Sequence, residues 1–137
     1  MIHARVQCYL EALAARELEG VIELFADEVD WYVPGNQEIA PWVGSRTSKQ
    51  EVKEFFQLLW DNTKPLDVKI ENLMVQDDSA VITGSITALM LKSESVFSSP
   101  FSMQIDYYKG LIIKYRLLED SNELVRILSE NSPDKKR

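Results

Sequence analysis

A chain of 137 residues with 45% hydrophobic and 27% charged positions has the length and composition of one globular domain around one core. Its net charge of −7 repels phosphate backbones and anionic lipid, so neither nucleic acid nor a membrane is expected as a partner. The lone cysteine, Cys8, excludes an internal disulfide, the lone histidine, His3, excludes a histidine-rich metal site, and no loop has the spacing of an all-carboxylate site, so no metal or cofactor is expected.

The N-terminal run MIHARVQCYLEALAARELE carries charges throughout and lacks the continuous apolar stretch of a signal peptide. No segment has bilayer length, and a chain without disulfides fits a reducing compartment, so a cytoplasmic protein is expected. Val6, Leu10 and Leu13 recur at helical spacing with Tyr9 beside them. The pattern continues through LEGVIELFA and predicts two helices in succession over residues 1–30. The junction at Arg16 and Glu17 offers neither the glycine nor the Ser or Asp cap that such a break favours.

DWYVPGNQEIAPW, at 30–42, crowds aromatics, prolines and acids into a strand that opens into a loop. In SKQEVKEFFQLLW, Ser48 and Glu51 form an S-x-x-E capping box. Val52, Phe55, Phe56, Leu59 and Trp60 then keep one helical face apolar. Lys64-Pro65 is expected to end the connection that follows.

From there the period changes to two. DVKIENLMV, AVITGSITALML, VFSSPFSMQIDYY and LIIKYRLLE read as strands, with DDS and KG as turns and KSES as a looser hairpin loop. Residues 80–91 carry no charge, and 111–118 are apolar on both faces. A sheet with one wet face alternates more cleanly. Both faces are therefore expected to be covered, one by helices and the other by a second copy, giving a homodimer through the sheet face. Asp120 and Glu123 start a last short helix through ELVRIL. One domain over 1–128 is expected, with a polar, disordered tail over 129–137 whose KKR end is solvated.

The run VQCYLEALAARELEGVIELFADEVDWYVPG resembles the opening of SnoaL-like and ketosteroid-isomerase-related proteins of the NTF2-like superfamily. PWVGSRTSKQEVKEFF resembles the family's next segment, and FSMQIDYYKGLIIKYRLLED its closing hairpin. The likeness implies an α+β cone, with N-terminal helices packed in the concave face of a curved, mostly antiparallel sheet. It also implies a pocket between them. The fold hosts isomerases, cyclases, epoxide hydrolases, carriers and inert subunits, so function has to be argued from the site.

Ketosteroid isomerases pair a carboxylate base with an oxyanion hole made by a tyrosine and a protonated aspartic acid. Tyr9 matches the family tyrosine. The base position, before Pro34, holds Val33, and Asp30 nearby has the opposite strand parity to Trp31 and Val33. The oxyanion aspartate position holds Met103, with Asp106 on the opposite face. The last-strand acid of the epoxide-hydrolase branch is replaced by Leu117, after Arg116. Glu119 shares parity with Leu117 and Tyr115 and is the best remaining inward carboxylate at the rim of the cone. Glu38 lies in the loop GNQEIAP, either as a lid acid or as a solvated loop acid.

The expected pocket lining is Trp31, Val33, Trp42, Phe55 and Leu59, together with Met103, Ile105, Tyr107, Tyr115 and Leu117. Such a lining suits a small hydrophobic molecule and equally suits a filled core. The leading expectation is a ligand-binding protein with the usual isomerase and epoxide-hydrolase positions lost. The alternatives are an isomerase or cyclase using Tyr9 with Asp30, Glu38 or Glu119, and a scaffold subunit that works through its sheet face.

Overall fold

The computed structural model describes residues 2–130. α1 (Ile2–Ala15) buries Val6 and Tyr9 and ends at Arg16, whose φ of 51° is left-handed. The left-handed residue lets the amide of Glu17 reach back to the Ala12 carbonyl at 3.3 Å, the closure that glycine usually makes. Arg16 bears this conformation while its guanidinium donates to the carbonyls of Trp60 and Thr63, at 3.2 and 3.0 Å.

α2 (Leu18–Ile22) is shorter than expected. The helical pattern predicted through Ala26 stops because the sheet captures the chain. The Leu24 carbonyl accepts the amide of Ile112 at 2.9 Å, and Phe25, fully buried, already opens β1 (Phe25–Val33). Tertiary pairing here overrides a local period that reads equally well as helix.

β2 (Gly44–Ser48) leads into α3 (Lys49–Asn62) through the predicted cap. The Ser48 hydroxyl accepts from the Glu51 amide at 3.2 Å, and the Glu51 carboxylate accepts from the Thr47 amide at 2.7 Å. These hydrogen bonds hold the Glu51 carboxyl below its ordinary range. α3 runs straight into β3 (Thr63–Gln76), so Lys64-Pro65 lies inside a strand and does not end the connection. Proline is tolerated because β3 is an edge strand with an irregularity between Pro65 and Asp67.

β4 (Ser79–Met90), β5 (Ser95–Tyr108) and β6 (Leu111–Leu118) follow, joined by the expected turns. α4 (Ser121–Glu130) packs on β5 through buried Leu124 and Ile127. The expected tail lies outside the described residues from 131 onward. Among the described residues no helix is long and apolar enough to cross a membrane.

The sheet order is β2-β1-β6-β5-β4-β3, with β1 and β6 parallel and every other neighbour antiparallel. The helices pack on the concave side of this curved sheet, as the resemblance implied. Period-two burial along β5 sends Phe97, Phe101, Met103, Ile105 and Tyr107 to that side. Their cross-strand partners, Ala88, Ile82 and Ala80 on β4 and Leu117 and Tyr115 on β6, follow the same register.

Candidate functional site

A cavity of about 650 Å³ lies between the helices and the concave sheet. α1 supplies Leu10, Leu13 and Ala14, and Arg16 stands at its end. α3 supplies Phe55, Phe56, Leu59 and Trp60, the face laid down by the capping box and the helical spacing. Along the sheet the wall is again mostly apolar, with Ile86, Met90, Phe97 and Phe101 among its members.

Of the residues predicted to line a pocket, Val33, Trp42, Phe55, Leu59, Met103, Tyr115 and Leu117 do so. Trp31, Ile105 and Tyr107 face the same side but are buried and stay outside the cavity wall. Trp31 is the backing of the site. It stacks flat on Tyr115, with centroids 4.2 Å apart and 5° between planes, and meets Phe55 edge-on at 4.7 Å. Tyr107 lies beyond the cavity, where burial pushes its hydroxyl up to about 12.

Tyr9, too, is behind the wall. Its hydroxyl donates to the Tyr115 hydroxyl at 2.6 Å, and both rings are buried. A phenol oxygen that accepts one hydrogen bond still has its own proton to give. Of the two, Tyr115 lines the cavity and Tyr9 holds its hydroxyl from behind. Burial raises both phenols well above the ordinary value, so both are neutral.

Glu119 lines the cavity just beyond the end of β6. It is partly accessible, and desolvation pushes its carboxyl up to about 7. It forms no ion pair among the described residues. A carboxyl with that value is present in both protonation states near neutrality, as a general acid–base needs. Glu119 follows Tyr115 by four positions, roughly 13 Å along an extended backbone, so a molecule reaching both must bridge the cavity.

The structure does not bring the other candidate acids to this place. Asp30 points to the opposite face of β1, where its carboxylate accepts from Arg116 Nη2 at 2.9 Å and is 64% exposed. The parity of β1 places it there, with Val29, Trp31 and Val33 buried on the other side. Glu38 is exposed in a loop where its amide donates to the Asn36 side chain at 2.9 Å. Asp106 accepts from the Ser79 hydroxyl at 2.7 Å, on the outer face.

Sequence reasoning missed one side of the site. Leu66, Val68 and Ile70 of β3 line the cavity yet are 50%, 51% and 45% exposed, so the cavity opens over this edge strand. Their alternation is visible in the sequence, but an apolar alternation predicts burial, and nothing covers them among the described residues. Arg16 and Thr63 were missed as well. Their polar ends meet at the junction of α1, α3 and β3, with Arg16 Nη2 donating to the Thr63 hydroxyl at 3.3 Å.

The fold is shared with solved proteins of low sequence identity. An NTF2-like protein of unknown function from Burkholderia pseudomallei is 17% identical over 93% of this chain and 97% of its own, with a TM-score of 0.84. A candidate isomerase from Rhodopseudomonas palustris is 21% identical over 93% and 95%, with a TM-score of 0.80. TerC, crystallized together with polyporic acid, is 14% identical over 93% and 97%, also at 0.80. Among curated proteins none matches the chain. The SnoaL-like domain model matches residues 6–112, which takes in both cavity-forming helices and most of the sheet and stops short of Tyr115 and Glu119. With most of its length matched and the helix-lined cone in place, the chain belongs to the SnoaL-like domain family.

Proposed function

We propose that the protein binds a small, largely apolar molecule in the concave cavity. The observation that carries this is the cavity itself, about 650 Å³ with an aromatic and aliphatic wall and only a few polar groups. That is the usual make-up of a small-molecule site. Titration with N-phenyl-1-naphthylamine tests it, read by the probe's emission and by quenching of Trp42 and Trp60. Saturable one-to-one binding is expected, weakened by Leu13→Phe, which fills the cavity from α1. Probe emission that never saturates would remove the reading.

A second reading makes the site an enzyme of isomerase or cyclase type. Its support is the unpaired Glu119 carboxyl, raised to about 7, on the same wall as Tyr115. Glu119 would take a proton from a carbon beside a carbonyl and return it elsewhere. Tyr115, about 13 Å along the strand from Glu119, would contact the far end of a substrate that spans the cavity. Deuterium uptake by 2-tetralone in D2O measures this step. The native chain should exceed the buffer rate and Glu119→Gln should fall to it, whereas equal rates would leave binding as the sole function.

The outer sheet face supports a homodimer. Across β4 and β5 it presents Val81, Thr83, Ser85, Thr87, Ser98 and Ser102, with no charge at its centre. Sedimentation equilibrium decides between one copy and two.

A further inference from the structure

Among the described residues that line the cavity, Arg16 is the one basic side chain. It is half-buried, and desolvation lowers its pKa. No carboxylate pairs with it among the described residues. Of the acids on the cavity wall, Asp67 is exposed and Glu119 is held in a range where much of it is neutral. A guanidinium partly withdrawn from water without a counter-ion favours an anion that comes to it.

The guanidinium is also held in place. Nη1 donates to the carbonyls of Trp60 and Thr63, and Nη2 to the Thr63 hydroxyl. The Trp60 ring lies 5.7 Å from the guanidinium carbon. Three of its five N–H groups are spent on this frame, and those left on Nε and Nη2 have no partner among the described residues. A donor pair on a pre-positioned fork suits a carboxylate or sulfonate better than a single hydroxyl does.

The cavity extends from there along α1. Tyr9, which holds the Tyr115 hydroxyl, precedes Arg16 by seven residues, roughly 10 Å of helix axis. Leu10, Leu13 and Ala14 line the interval. We propose that Arg16 receives an anionic group of the ligand, so that the site takes organic anions: a carboxylate or sulfonate at Arg16 and an apolar body extending toward Tyr115. This rests on the cavity-binding reading and adds the chemical class of the ligand.

The test uses two probes with one scaffold. 1-Anilinonaphthalene-8-sulfonate carries an anion, and N-phenyl-1-naphthylamine is its uncharged counterpart. The native chain should bind the sulfonate about tenfold more tightly at low salt, the size expected of a charge-assisted hydrogen bond, with the preference shrinking at high salt. Arg16→Gln should bring the two affinities together and leave the neutral probe nearly unchanged, while Arg16→Lys should keep part of the preference. Equal affinities in the native chain would overturn the inference while leaving the cavity reading intact. So would a folded Arg16→Gln that weakens both probes alike, since Arg16 would then only tie α1 to α3. Binding of neither probe would overturn both the cavity reading and the inference.

Discussion

The Tyr9 hydroxyl donates to the Tyr115 hydroxyl across 2.6 Å, tying α1 to β6 at the inner wall of the cavity. The pair is chemically asymmetric. Tyr115 lines the cavity, whereas Tyr9 is closed off behind it. Tyr9→Phe removes one donor from an oxygen and leaves no polar group of its own unpaired, and should cost about 1 kcal/mol. Tyr115→Phe leaves a fully buried O–H without an acceptor, and should cost nearer 2–3 kcal/mol. Urea denaturation of both variants checks the order. A Tyr9→Phe loss equal to or larger than that of Tyr115→Phe would contradict the assigned direction of the bond.

Glu119 makes stability depend on pH in an unusual direction. Its carboxyl is raised from 4.5 to about 7 on folding, because burial disfavours its charged form. Between those values the folded chain keeps a proton that the unfolded chain has released. Stability from this group is therefore complete below about pH 4.5, declines as pH rises to about 7, and is flat beyond. Cavity water screens part of the effect, leaving roughly 1–3 kcal/mol. Glu51 and Glu123, whose carboxyls are lowered, act in the opposite sense and only as pH falls below the ordinary carboxylate range. Denaturation midpoints from pH 5 to 8 should fall in the native chain. They should stay level in Glu119→Gln, which should be the more stable form at pH 8.

Gly84 sits on β4 where a Cβ would run into the backbone carbonyl of Lys69 on β3. The close approach adjoins the irregularity of β3 between Ile70 and Asn72. Gly84→Ala must push the edge strand outward and should destabilise by about 1–3 kcal/mol. Amide exchange should rise along β3 more than along β5. A variant as stable as the native chain would mean that β3 yields without cost.

Asp30 stands near the position where the isomerases keep their base, yet it lies outside the cone on Arg116. An exposed pair of this kind contributes about 0–1 kcal/mol. Asp30→Asn should leave binding of N-phenyl-1-naphthylamine within about twofold, and stability within about 1 kcal/mol. A marked loss of binding would mean that β1 turns its other face to the ligand.

Much of the cone was legible because it rests on local rules. The Ser48–Glu51 cap and the spacing from Val52 to Trp60 specify α3 by themselves, and alternation on β5 places Met103 inward and Asp106 outward. The same parity argument separated Trp31 and Val33 from Asp30 and put Glu119 beside Leu117. Where two periods overlap, local rules failed. LEGVIELFA fits a helix to its end, and only the pairing of Phe25 with Ile112 draws its second half into the sheet.

The sequence by itself determined α3, the inward face of β1 and β5, and the absence of charge at Val33, Met103 and Leu117. These follow from periodicity and residue chemistry, which act within a few residues. Only the tertiary structure decided which inward residues meet open space. It set Tyr9 behind Tyr115, left Trp31, Ile105 and Tyr107 in packed core, opened the cavity over Leu66, Val68 and Ile70, and brought Arg16 to its wall. The reason is geometric. Strand alternation says which face a side chain takes, but how far the helices stand off that face depends on the curvature of the whole sheet, which no local stretch of sequence encodes.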